Sequence, residues 1–145
     1  MTAIPQSQSY VNFYDVKKGI LSWLTTHDHK RIALLYLYTI SAFFVVAFIL
    51  GLLMRLELIA PGETIMDPQT YNEVFTLHGV IMIFLFIIPG IPAIFGNFAL
   101  PMMIGAPDVA FPKVNLLSWY LYMLGGALAL STLLYGEGPA DTGWT

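Results

Sequence analysis

The chain has 145 residues, 57% of them hydrophobic and only 10% charged, with a mean hydropathy of +0.72 and a formal net charge of −3. That composition places it among integral membrane proteins, because several apolar stretches reach the roughly 20 residues a helix needs to cross a bilayer. The absence of cysteine excludes a disulfide framework, a thiolate metal site and a cysteine nucleophile, and no nucleic-acid partner is expected.

Residues 1–30 read as a cytoplasmic tail whose stretch from Tyr10 to Thr25 is weakly amphipathic; no compact apolar core followed by a small-residue cleavage site marks a secretory signal. The first span is predicted from Ile32 to Met54, uncharged throughout and about 35 Å long as a helix. Arg55, Glu57, Pro61 and Gly62 then open a polar loop that continues to Glu73. The second span is predicted from Val74 to Ile104, roughly 46 Å if fully helical, so it must tilt strongly, protrude or kink, with Pro89 and Pro92 as natural kink points. It carries no charged side chain, one histidine near its start, His78, and one asparagine near its end, Asn97. Pro101 and the Gly105-Ala106-Pro107 stretch close it, and a third span is predicted over 114–135, followed by a loop bearing Gly and Pro. The fold class is therefore all-α and membrane-embedded, with three spans forming one small bundle layer that needs partners.

Lys17, Lys18, Lys30 and Arg31 precede the first span and Lys113 lies between the second and third, whereas Arg55 alone lies on the opposite side. By the excess of basic residues the N-terminus faces the cytoplasm. His78 then lies near the outer surface of the bilayer and Asn97 near the inner one.

An imidazole inside a span is costly unless it is bonded, and intramembrane ionisable groups default to a functional reading. Two readings of His78 stand side by side: a buried ring bonded to a carbonyl of a neighbouring helix, or a ligand to haem iron. His27 and His29 lie at the inner surface, across most of the hydrocarbon thickness, and cannot share its iron. Met82 is four residues on and faces the same way, so a second axial ligand has to come from elsewhere.

Three stretches carry a resemblance: Tyr71-Asn-Glu-Val-Phe-Thr-Leu-His78-Gly-Val-Ile-Met-Ile-Phe, Phe95-Gly-Asn97-Phe, and Ile104-Gly-Ala-Pro-Asp108-Val-Ala-Phe-Pro-Lys-Val-Asn115-Leu-Leu-Ser118-Trp. With His27-Asp-His29-Lys-Arg-Ile before the first span and Gly143-Trp144-Thr145 after the third, the chain from about Trp23 onward closely resembles subunit I of the haem-copper oxidases. The resemblance implies that His78 is an axial ligand of the low-spin haem, with haem A favoured because Arg55 matches an arginine at the formyl-bearing ring edge. Tyr71 and Trp144 match hydrogen-bond donors on the propionate side, and Glu57 and Gly62 match part of a peripheral cation site. Asp108 matches the mouth of the main proton-uptake route, with Asn97, Asn115, Ser118 and Tyr36 matching polar groups along its lower part. Asn115 and Ser118, three residues apart, share a helical face.

Family members have about twelve helices, and these residues match the first three. The resemblance therefore implies that the second haem, the copper and the catalytic residues belong to the rest of subunit I. The copper-bearing subunit II, and cytochrome c or a quinol as donor, complete the expected partners. Residues 1–145 alone are expected to lack oxidase activity, and the alternative is a split or non-catalytic haem-binding subunit of a respiratory complex. The expected location is a bacterial inner membrane. The sequence departs from the family at Leu116, where relatives often have a second asparagine, at Lys113, usually arginine, and at Gly90-Ile-Pro-Ala-Ile, which replaces a more glycine-rich segment.

Overall fold

The computed structural model describes residues 19–132, which form a short helix α1 (Ile20–Leu24) and three long ones, α2 (His29–Glu57), α3 (Pro68–Ile104) and α4 (Pro112–Ser131). All three long helices have the length and apolar character to cross a membrane. The end of the third predicted span, residues 1–18 of the N-terminal segment, and Trp144 lie outside the described residues.

Local chemistry sets the helix limits. Asp28 caps α2 by accepting the Lys30 N–H at 2.8 Å, so the helix starts three residues before the predicted span. At its other end α2 continues through Arg55, whose charge complements the helix dipole, to Glu57. The polar loop predicted to reach Glu73 is shorter than expected, because Pro68 at the first helical position starts α3 and puts Tyr71 and Glu73 on its opening turns. Beside it, the Thr70 hydroxyl bonds the Asp67 carboxylate and holds its pKa below the usual carboxylate range. Gly105 ends α3 in the left-handed region at φ 68°, with the Ala106 N–H reaching back to the Pro101 carbonyl at 2.9 Å.

Pro89 and Pro92 leave α3 helical but rewound. Ile81–Ile87 and Gly90–Gly96 are π-helical turns, which take up the mismatch created where a proline ring and missing N–H break the α-helical ladder. Pro89 has no N–H for the Leu85 carbonyl; the Tyr122 hydroxyl on α4 donates to that oxygen instead, at 2.6 Å.

The helices run up, down and up. The start of α2 meets the α3–α4 turn through His29 and Asp108, and Tyr36 meets Ser118 early in α4. One stripe of α2 is buried: Ile32, Tyr36, Ile40, Phe43, Ala47 and Leu50, at spacings of three and four. Its first half packs with Leu116 and Trp119 of α4, its second with Val74, Leu77, Ile81 and Leu85 of α3. Most of the remaining apolar surface is exposed, as suits helices that face lipid or further helices. Where α4 passes α2, a Cβ on Gly126 would clash with Cζ of Phe43, whose ring is also held edge-on by Tyr122. Gly126→Ala is therefore expected to cost roughly 1–3 kcal/mol by overpacking. Thermal unfolding of the assembled complex in detergent reads this as a lowered midpoint that Phe43→Leu partly restores.

Candidate functional site

The candidate residues fall into two groups, one toward each end of α2. Near the α2–α3 turn, His78 on α3 leans against α2 and its Nδ1–H donates to the Ala47 carbonyl at 2.8 Å. The neighbouring-helix carbonyl expected for a satisfied histidine is thus present. It also fixes the tautomer, leaving Nε2 as a bare lone pair with no protein partner among the described residues, which is the arrangement of a metal-bound histidine. Gly51, one turn beyond Ala47, makes the space: a Cβ there would come within 3.0 Å of the His78 Cε1. A half-buried imidazole in a glycine cradle, oriented through Nδ1 and open at Nε2, fits a haem iron.

Around this group, Arg55 is exposed on the last turn of α2 and Tyr71 is half-buried on the first turns of α3. Glu57 is buried and its carboxylate accepts the backbone N–H groups of Thr64, Ile65 and Met66 at 2.7–3.0 Å, while its carbonyl accepts the Thr64 hydroxyl. The carboxylate thereby closes the loop that contains Gly62, at φ 94°. A cation there would need ligands beyond these two residues, since no group of three or more His, Cys, Asp or Glu comes together among the described residues.

At the other end, four of the five inner residues join in one network. Ser118 donates to the Asn115 carbonyl at 2.6 Å, so Tyr36 is the donor in its 2.8 Å bond to the Ser118 hydroxyl. Asn115 donates through Nδ2 to Oδ1 of Asn97, and Asn97 donates to the Ala93 carbonyl at 2.7 Å. These side chains, with Pro89, Pro92, Ala93 and Tyr122, line a cleft of about 350 Å³ between α2, α3 and α4. At ~30 Å³ per molecule, that is space for about ten waters beside donors and acceptors able to hold them. Leu116, the departure noted above, does not face this cleft; it is buried with Ile32, Tyr36, Ile40 and Trp119.

Asp108 lies below the cleft in the α3–α4 turn, its side chain 41% exposed. Its Oδ1 accepts two bonds, from the Val109 N–H at 2.7 Å and from Nδ1–H of His29 at 2.9 Å. His29 is the residue that sequence reasoning passed over: the structure buries it as the first residue of α2 and aims it at the carboxylate. Its place in the motif His27-Asp-His29-Lys was the available signal. From His29 to Ala47 is 18 residues of one helix, so the carboxylate and the His78 ring stand about 27 Å apart along the bundle.

Residues 31–145 match the profile of the family described as "Cytochrome C and Quinol oxidase polypeptide I". The chain is similar to a "Putative cytochrome c oxidase subunit 1-beta" of Streptomyces avermitilis, 49% identical over 125 residues that cover 86% of this chain and 22% of that protein. It is 43% identical to a "Probable cytochrome c oxidase subunit 1-alpha" of the same organism, over 98% of this chain and 25% of that one. It is also 46% identical to the "Cytochrome c oxidase subunit 1" of Alkalihalophilus pseudofirmus, over 89% of this chain and 20% of that one. The chain thus spans a quarter or less of the length of these relatives.

Proposed function

The chain belongs to the cytochrome c and quinol oxidase polypeptide I family, and from that premise we propose that it supplies one low-spin haem ligand and the mouth of the proton-uptake route of a terminal respiratory oxidase. The complete assembly reduces oxygen to water and moves protons across the membrane. The observation that carries this reading is the separation of two unlike sites along α2: an imidazole with a bare Nε2 near one end, and a carboxylate leading into a polar cleft at the other.

His78 would hold the haem iron through Nε2, and the Ala47 carbonyl keeps the ring in the one tautomer and rotation that allow it. A haem so held supplies one-electron transfer. Arg55, Tyr71 and Trp144 are proposed as donors to its periphery, Arg55 favouring a formyl-bearing haem A, and Glu57 with Gly62 as part of a peripheral cation site. A further ligand to that haem, a second haem and copper would come from the rest of subunit I. The names of the relatives favour cytochrome c as donor, reached through a copper-bearing subunit II. The proposed location is a bacterial plasma membrane with the N-terminus cytoplasmic, so that Asp108 faces the side from which protons are taken.

Asp108 collects the proton, and waters held by Asn97, Asn115, Ser118 and Tyr36 relay it inward. His29 is a positioning residue, since its N–H fixes the direction of the carboxylate. His29→Ala is expected to slow proton uptake several-fold, whereas His29→Asn, which still offers an N–H to Oδ1, keeps most of the rate; proton uptake after an oxygen pulse measures both.

The proposal as a whole is tested on the complex purified from native membranes through this chain. Haem absorbance with oxygen-driven proton uptake is expected, and a complex without haem would overturn it.

A further inference from the structure

The inner cleft has one polar wall residue that the route above does not use. Tyr122 lies on α4 one turn beyond Ser118, its ring 5.6 Å from that of Tyr36 and from that of Phe43. It lines the cleft together with Pro89. Its hydroxyl is the donor to the Leu85 carbonyl, the oxygen to which Pro89 has no N–H to give. Leu85 itself is buried in the core of the bundle, so that carbonyl belongs to a fixed part of α3 rather than to a mobile edge. The bonded carbonyl lies within the first π-wound stretch, Ile81–Ile87; the second, Gly90–Gly96, begins just after Pro89 and carries Pro92 and Ala93 in the cleft wall.

We propose that Tyr122 is a positioning residue for proton uptake: by bonding the Leu85 carbonyl, its hydroxyl ties α4 to the proline-broken stretch of α3 and so fixes the width of the cleft through which waters pass. The inference rests on reading the cleft as the uptake route. A phenolic oxygen that donates its only proton to a carbonyl still has lone pairs to accept from a neighbouring water. Tyr122 therefore both braces the wall and extends the polar lining past the Tyr36–Ser118 pair. Phenylalanine would keep the ring contacts with Tyr36 and Phe43 while removing the brace. The freed carbonyl would then take its hydrogen bond from cleft water or from a shifted backbone, and either change interrupts the water chain.

The test compares Asp108→Asn, Tyr122→Phe, Pro89→Ala and the Tyr122→Phe/Pro89→Ala pair in the assembled oxidase reconstituted into vesicles. Oxygen-pulse proton uptake is read beside the haem absorbance. Tyr122→Phe is expected to slow uptake about fivefold, the rate equivalent of one hydrogen bond of about 1 kcal/mol, with the haem spectrum unchanged. In the Pro89→Ala background residue 89 regains an N–H for the Leu85 carbonyl, so the same substitution should have little further effect. A merely structural tyrosine would cost the same in both backgrounds, and that result overturns the proposal. If Asp108→Asn impairs uptake and Tyr122→Phe does not, Tyr122 has no such role although the uptake route stands. If Asp108→Asn is also without effect, the reading of the cleft falls and this inference with it. Should Tyr122→Phe alone fail to assemble, recovery of both haem and uptake in the paired variant supports the brace, and recovery of haem without uptake overturns it.

Discussion

Replacing His78 with alanine is expected to abolish the low-spin haem absorbance of the assembled complex and bring oxygen consumption to background. Three losses coincide at that position. An iron held through Nε2 would lose that ligand, and no other histidine among the described residues lies within about 27 Å along the bundle to replace it. The Ala47 carbonyl loses its side-chain donor, and the space that Gly51 keeps clear for the ring becomes a void. Methionine separates these effects, because a thioether can ligate haem iron but cannot donate to Ala47. His78→Met is expected to retain part of the low-spin absorbance with a raised midpoint potential, read by redox titration. An alanine variant with unchanged haem absorbance would return His78 to the plain role of a satisfied core histidine.

Asp108→Asn is expected to have the second large effect, slowing proton uptake by roughly 10²-fold or more while leaving the haem spectrum intact. The amide is nearly isosteric, and its oxygen can still accept from His29 and from the Val109 N–H, so the turn and the start of α2 should keep their shape. What it cannot do is bind and release a proton. Asp108→Glu keeps the titrating group one methylene out of place and should retain an intermediate rate. Stopped-flow uptake measurements with a pH indicator dye outside the vesicles distinguish the three. If Asp108→Asn took up protons at the parental rate, the inner network would be a packing device, as buried amide pairs often are.

How much of this could be read in advance depended on the range of the interaction. The three membrane helices follow from runs such as Ile32 to Met54, where composition alone decides the environment. The lone His78 in a span required a bonded partner, but which atom bonds it depends on α2 lying alongside, 31 residues away in sequence. The His29–Asp108 and Tyr122–Leu85 bonds, 79 and 37 residues apart, leave no periodic trace. Glycines hide their purpose in the same way: Gly51 and Gly126 look alike in sequence, yet one clears space for an imidazole and the other for a phenyl ring. Helix limits moved for local reasons. Asp28 and Pro68 are strong start signals, and the apolar run from Val74 drew the predicted span away from Pro68. Leu116, which by position looked like a gap in the polar route, proves to face the α2–α4 core; one residue round the helix from Asn115, it points to a different neighbour.

The most direct test of the central claim is chemical rescue. In the assembled complex carrying His78→Gly, the reduced-minus-oxidised spectrum is recorded before and after addition of free imidazole, which can enter the space the side chain has left. If the His78 ring is the haem ligand, the low-spin band is absent at first and returns as imidazole is titrated in. A band present at parental intensity without imidazole would show that the iron is held by other residues, contradicting the assignment on which the haem site rests.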